Sequence, residues 1–86
     1  MKNWMLVCCY ERDIEEPMFY ETYEEAYKQM RMELMEMMGW EEGELEEMLI
    51  EYGDECGLGV YAAWAERHGN NCDWKIFNLT EIEGRI

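Results

Sequence analysis

From Thr22 to Met38 apolar residues recur at three- and four-residue steps. Tyr23, Ala26, Tyr27, Met30, Leu34, Met37 and Met38 fall on one side of a helical wheel, as a helix seated on a core requires. Thr22 and Glu25 have the spacing of a capping box, and Gly39 suits the residue that stops a helix. Met32 lies nearly opposite this stripe and Met35 on its flank. Both are therefore expected at the surface, either as ordinary scattered apolar residues or as a soft contact for a partner, which methionine suits because it is unbranched and polarizable.

The remaining pattern alternates between strand and helix. Trp4 to Tyr10, WMLVCCY, is apolar on both faces and reads as a central strand, with Trp4, Leu6, Cys8 and Tyr10 on one side and Met5, Val7 and Cys9 on the other. Glu11 to Glu21 is a polar, proline-containing connection. Its Met18, Phe19 and Tyr20 are expected to fold back on the core, Phe19 and Tyr20 as a short extended piece. After Gly39, roughly Glu42 to Tyr52 predicts a second helix with Leu45, Met48, Leu49 and Tyr52 aligned, an antiparallel neighbour of the first. Cys56 to Glu66 alternates as one strand, Arg67 to Asn71 is turn chemistry, and Cys72 to Leu79 alternates as the strand that completes a hairpin. Thr80 to Ile86 reads as a frayed tail.

The expected fold is α+β in the order β-α-α-β-β, a single domain over residues 1–86. It has a three-stranded sheet with a helical hairpin on one face. Strand order stays open between a meander and a mixed sheet with the last strand in the middle. The uncovered face would hold Met5, Val7, Tyr61 and Phe77 or Lys75, and it offers a surface for a homodimer.

An apolar fraction of 49 % argues for a folded chain despite the charge. That charge is the unusual quantity: 21 acidic residues against seven basic, a net −14, beyond the magnitude of about 2 to 8 that suits a small soluble domain. Such a field repels nucleic acid and anionic lipid and attracts basic surfaces. Direct binding to nucleic acid or membrane is not expected. Cys8 and Cys9 are adjacent, and the run Trp4 to Tyr10 lacks a cleavage site and is too short to span a bilayer. A reducing cytoplasm with free, mostly buried thiols is the expected setting.

Catalytic chemistry is sparse. The chain has no serine, and Thr22 and Thr80 are a helix cap and a tail residue. The one histidine, His68, sits in the expected hairpin turn, out of place as the base of a cysteine nucleophile. Cys56, His68 and Cys72 with Cys8 or Cys9 lack the paired spacing of zinc sites. Neither a phosphate loop nor a calcium loop is present. The expectation is a protein with no catalytic residue, no metal and no cofactor.

The acidic residues, by contrast, are clustered. Between Met32 and Glu66 there are eleven of them and no Lys or Arg. The densest part comprises Glu41, Glu42, Glu44, Glu46, Glu47, Glu51, Asp54 and Glu55. On a helix Glu44, Glu47 and Glu51 form a stripe with neighbours about 5–6 Å apart at Cβ, comparable to phosphates along a nucleic-acid strand. A row of this kind fits a basic groove, whereas the plainer reading is a solvated helix face.

In the C-terminal hairpin, YAAWAERHGNNCDWKIF resembles the ending of small acidic proteins from phages and mobile elements of gut Firmicutes, in which an Ala-rich strand, a G-x-N turn and a D-W-K/Q-I strand recur. MFYETYEEAYKQM is similar to their first helix and its approach. That class includes anti-CRISPR and antirestriction inhibitors, several of which imitate nucleic acid. The resemblance implies a partner class, a nucleic-acid-processing enzyme with a basic surface, and carries over no functional residue. The expected function is thus a non-enzymatic inhibitor whose acidic face occupies a basic groove of a host defence nuclease. The alternative is a small accessory module acting through homodimerisation or a hydrophobic contact.

Overall fold

The computed structural model describes residues 2–80. The tail expected over Thr80 to Ile86 lies outside them beyond Thr80. Trp4–Tyr10 (β1) turns at Glu11 and Arg12 into Asp13–Ile14 (β2), and Met18–Tyr20 (β3) continues along the same edge of β1. Glu15, Glu16 and Pro17 oppose only Val7 and Cys8, so β2 and β3 are one returning strand broken by a bulge. Pro17 has no N–H to offer, which suits an outer edge. Then follow Tyr23–Met38 (α1), Leu45–Glu51 (α2), Cys56–Leu58 (β4), Ala62–Arg67 (β5) and Asn70–Asn78 (β6).

The sheet has six strands, all antiparallel, in the order β2-β1-β6-β5-β4 with β3 beside β1. This corrects the three-stranded expectation in two places. The connection after β1 pairs with it as β2 and β3, and the strand expected over Cys56 to Glu66 is two strands. A turn through Gly59–Tyr61, closed by the Gly59 N–H donating to the Ala62 carbonyl at 2.7 Å, separates β4 from β5. β6 lies in the middle of the sheet and pairs antiparallel with β1 on one side and with β5 on the other, so the sheet is neither a meander in chain order nor mixed.

The helical hairpin also needs correction. α2 begins three residues later than expected, because the turn Glu41–Glu44 precedes it, and it rests on β4 at the sheet edge. α1 alone crosses the sheet, approaching nearest to β5. The close approach follows from size: Ala26 on α1 faces a sheet surface where β5 presents only Ala63 and Ala65, all buried. Leu6, Met30 and Leu34 are the largest fully buried side chains, and Trp74 and Ile76 of β6 complete the floor.

Both ends of α1 are closed as its sequence implies. Thr22 Oγ1 accepts the Glu25 N–H at 3.2 Å, and Gly39 adopts the left-handed conformation at φ 74°. The Trp40 N–H donates to the Met35 carbonyl at 2.9 Å, the longer bond of a Schellman ending. A further group arrives from β5: Arg67 Nη1 donates to the Met37 carbonyl at 2.9 Å and lies directly under Gly39. The last turn of α1 carries no basic residue of its own, so Arg67 supplies the cation that its negative end favours.

The two tight hairpins differ in cost. His68 and Gly69 have φ 53° and 83°, as a two-residue hairpin loop demands, with glycine in the second place. Glu11 and Arg12 have φ 51° and 72° with no glycine or asparagine between them. A left-handed conformation costs an L-residue about 1–2 kcal/mol. Arg12→Gly is therefore expected to raise stability by about 1 kcal/mol after glycine's greater chain entropy is counted, seen as a higher urea midpoint; an unchanged or lower midpoint would contradict the turn geometry. Glu11 is best left in place, since its Oε1 accepts the Asn71 N–H at 2.8 Å and ties the turn to β6.

Candidate functional site

The acidic segment is built by a short helix with little to hold it. Glu44 precedes α2 in helical conformation, and its Oε1 accepts the Glu41 N–H at 3.1 Å, closing the entry turn. Leu45 alone is buried, while Met48 and Leu49 are half-buried. At the other end the Tyr52 carbonyl accepts the N–H groups of Glu55 and Cys56, which delivers the chain into β4. Trp40 and Tyr52, 6.2 Å apart between ring centroids, join the start and finish of the segment.

With Leu45 turned inward, most of the carboxylates turn to solvent. Glu41, Glu42, Glu46, Glu47, Glu51, Asp54 and Glu55 are exposed and Glu44 is half-buried. Glu47 and Glu51 stand one helical turn apart, and Glu44 continues their line through the helical conformation of its backbone. One member has a cationic partner: Arg31 Nη1 reaches Glu42 Oε1 at 2.6 Å from the neighbouring helix. The block is uncompensated along the sequence but is met in space at this edge. Among the described residues no other ion pair involves the segment.

The two methionines separate. Met32 is exposed, as expected of its place opposite the stripe, whereas Met35 is 6 % exposed and belongs to the core, so it offers no contact surface. Trp40 and Leu45 enter the same core where the chain doubles back, and the buried arc of α1 widens to take in its flank. Tyr61 also departs from expectation. It packs edge-on against Tyr23 at 5.5 Å and so belongs to the helix side of the sheet.

The four thiols are free; Cys8, Cys56 and Cys72 are buried and Cys9 is half-buried. Cys8 and Cys72 lie on adjacent strands with their sulfurs 3.1 Å apart, at one wall of a cleft of about 560 Å³ that also touches Glu15, Glu33 and His68. Cys56 stands on the far side of β5, opposite Ala65. The candidate zinc set is therefore spread across the sheet, and among the described residues no three His, Cys, Asp or Glu side chains converge as metal ligands. Sequence spacing could not reveal the Cys8 and Cys72 pair, because only strand pairing over 64 residues brings it together.

Burial pushes the Cys8, Cys56 and Cys72 thiols up from their ordinary value of 9.0; for Cys72 the hydrogen bond with Cys8 adds to the effect, and for Cys8 the same bond opposes it. A raised thiol pKa favours the folded protein while both states are protonated and is lost once the unfolded chain ionises. Stability is thus expected to be level with respect to these groups below about pH 8 and to fall as pH climbs through the unfolded thiol value toward the higher folded ones. Urea midpoints measured between about pH 7.5 and 10.5 test this; a midpoint that holds steady over that range would contradict the buried, protonated thiols.

Comparison of the chain with protein-family models, curated proteins and solved structures finds no match. The site must speak for itself. No helix among the described residues is long and apolar enough to cross a membrane.

Proposed function

We propose that this protein is a non-enzymatic inhibitor that docks its acidic segment, residues 41–55, into a basic nucleic-acid-binding groove of a host defence nuclease of the anti-CRISPR or antirestriction kind. One observation carries the reading: eight carboxylates within fifteen residues are held at the surface of a folded scaffold, and Arg31 is the one cation paired with them among the described residues. Glu47 and Glu51 repel one another at i,i+4 spacing on a helix with a single buried residue. An arrangement that costs local stability is accounted for by a basic partner, where the same charges gain complementary potential. The resemblance of the C-terminal hairpin to small acidic phage proteins implies the same partner class.

The test is capture from a bacterial lysate on the immobilised protein, with elution by a salt gradient. Nucleic-acid enzymes should elute at intermediate salt and be displaced by added DNA or RNA, because binding by complementary charge weakens as ions screen it. Failure to retain any basic protein would leave the segment as a solvated face and overturn the proposal.

A further inference from the structure

Among the described residues nothing lies on the second face of the sheet. The molecule is 18 Å deep in its thinnest direction, the depth of one helix layer on one sheet. Strand pairing sets the outward residues of this face in three rows. Phe19, Met5 and Phe77 form the first; Val7, Lys75 and Ala62 form the second. Ile14, Cys9, Asp73, Trp64 and Gly57 form the third. Ile14, Phe19 and Trp64 are 74 %, 44 % and 41 % exposed, large apolar side chains on one continuous surface. Soluble monomers rarely leave such a patch uncovered.

Two details make the face a platform. The Trp64 indole lies across β4 at Gly57, where a Cβ would stand 2.3 Å from its Nε1, so only glycine there leaves room for the ring. Lys75 inclines toward Phe77, its Nζ 5.3 Å from the ring centroid, and covers part of the first row with its aliphatic stem. Within the three rows Lys75 and Asp73 are the only charges, so the patch is neutral on a chain of net −14. Repulsion between copies is weakest there. The acidic segment belongs to the helix layer on the opposite side, and Glu66, the next outward residue of β5, bounds the patch at one end.

We propose that this face is the interface of a homodimer, closed by a two-fold axis that crosses the strands at the level of Trp74. About that line the second and third rows are complementary, and the first row passes over the row of Asn71 and Glu66. Turning one copy onto another sets the third row over the second, so that Asp73 meets Lys75 of the second copy and Trp64 meets Ala62 of the second copy. Opposite charges pair and the largest side chain covers the smallest, twice over by symmetry. Cys9 meets Val7 of the second copy in the same way. At 40 by 27 Å in its other dimensions, the molecule is broad enough for the roughly 800 Å² per partner that a stable interface buries. The proposal is independent of the inhibitor reading, and a dimer would carry one acidic segment on each outer side.

The test is solution mass by light scattering, at low and high salt, with paired charge variants. The parent should have twice the 10.5 kDa chain mass and dissociate less readily at high salt, since apolar contact persists while repulsion between acidic copies is screened. Asp73→Lys sets like charges against Lys75 of the second copy and should weaken the dimer by about tenfold or more. Combining it with Lys75→Asp should restore the dimer, because the exchanged pair again has opposite signs. Both positions are outward-facing, and circular dichroism checks that the variants stay folded. A monomer at every concentration overturns the proposal, including one that binds some other protein through this face. A dimer indifferent to Asp73→Lys places the interface elsewhere, and a dimer not recovered by the double exchange rules out the two-fold register.

Discussion

Leu34→Ala is expected to remove a large share of the protein's stability. Leu34 is wholly buried at the centre of the α1 face, sharing the core with Leu6, Met30 and Trp74. Truncating a buried leucine costs about 3–5 kcal/mol, from lost transfer energy and the cavity left behind. A domain of this length has a total stability of roughly 4–13 kcal/mol. One substitution therefore removes a large share of it, and the melting temperature should drop by more than about 10 °C. Met32→Ala is the matched control. It lies on the exposed side of the same helix, where truncation should change stability by no more than about 0.5 kcal/mol. If Leu34→Ala and Met32→Ala melted together, α1 would not be seated on the sheet by this face.

Reversing Glu46, Glu47, Glu51 and Glu55 to lysine should abolish capture of a basic partner. All four side chains are exposed and, among the described residues, none takes part in an ion pair, so the fold loses no ion pair with them. Stability should change little, because positions 47 and 51 still repel as two lysines and lysine at 46 and 47 opposes the positive end of α2, while the field of the whole chain falls. Binding should behave otherwise. Each reversal replaces an attraction in the groove by a repulsion, and four together should weaken affinity at moderate salt by about a hundredfold or more. The elution salt of the captured protein reads this directly. A partner that elutes at the same salt from parent and variant would show that contact lies outside the segment, and would remove the basis for the inhibitor reading.

The acidic segment was legible in sequence for an electrostatic reason. Carboxylates with no cation at helical spacing have no route to burial, so their exposure follows from composition alone. The pairing of Glu42 with Arg31 was not legible, since it crosses the turn between the helices. Helix α1 was legible almost residue for residue, because its cap, its stop and its buried stripe are all set by neighbours within a few positions. Met35 was the exception: its burial depends on the chain doubling back through Trp40 and Leu45.

The sheet was read less well. Alternation persists through CGLGVYAAWAE whether it is one strand or two joined by a tight turn, and the bonds that decide, such as Gly59 to Ala62, leave the apolar pattern unchanged. Likewise Glu11 and Arg12 have no turn composition, so the return of the chain along β1 carried no local signal. Missing those turns left three pieces of the sheet uncounted, the two that return along β1 and the one at the far edge.

By itself the sequence determined the local matters: a capped amphipathic helix, alternating faces, the tight turn at His68 and Gly69, and a row of carboxylates committed to solvent. Only the tertiary structure decided that β6 is central, that Cys8 meets Cys72, that Arg67 caps α1 and that, among the described residues, a neutral apolar face is left open. Each of these is a choice among distant partners that the same local pattern serves equally well, and it is settled by which strand edges satisfy one another's hydrogen bonds while the apolar faces close on one core.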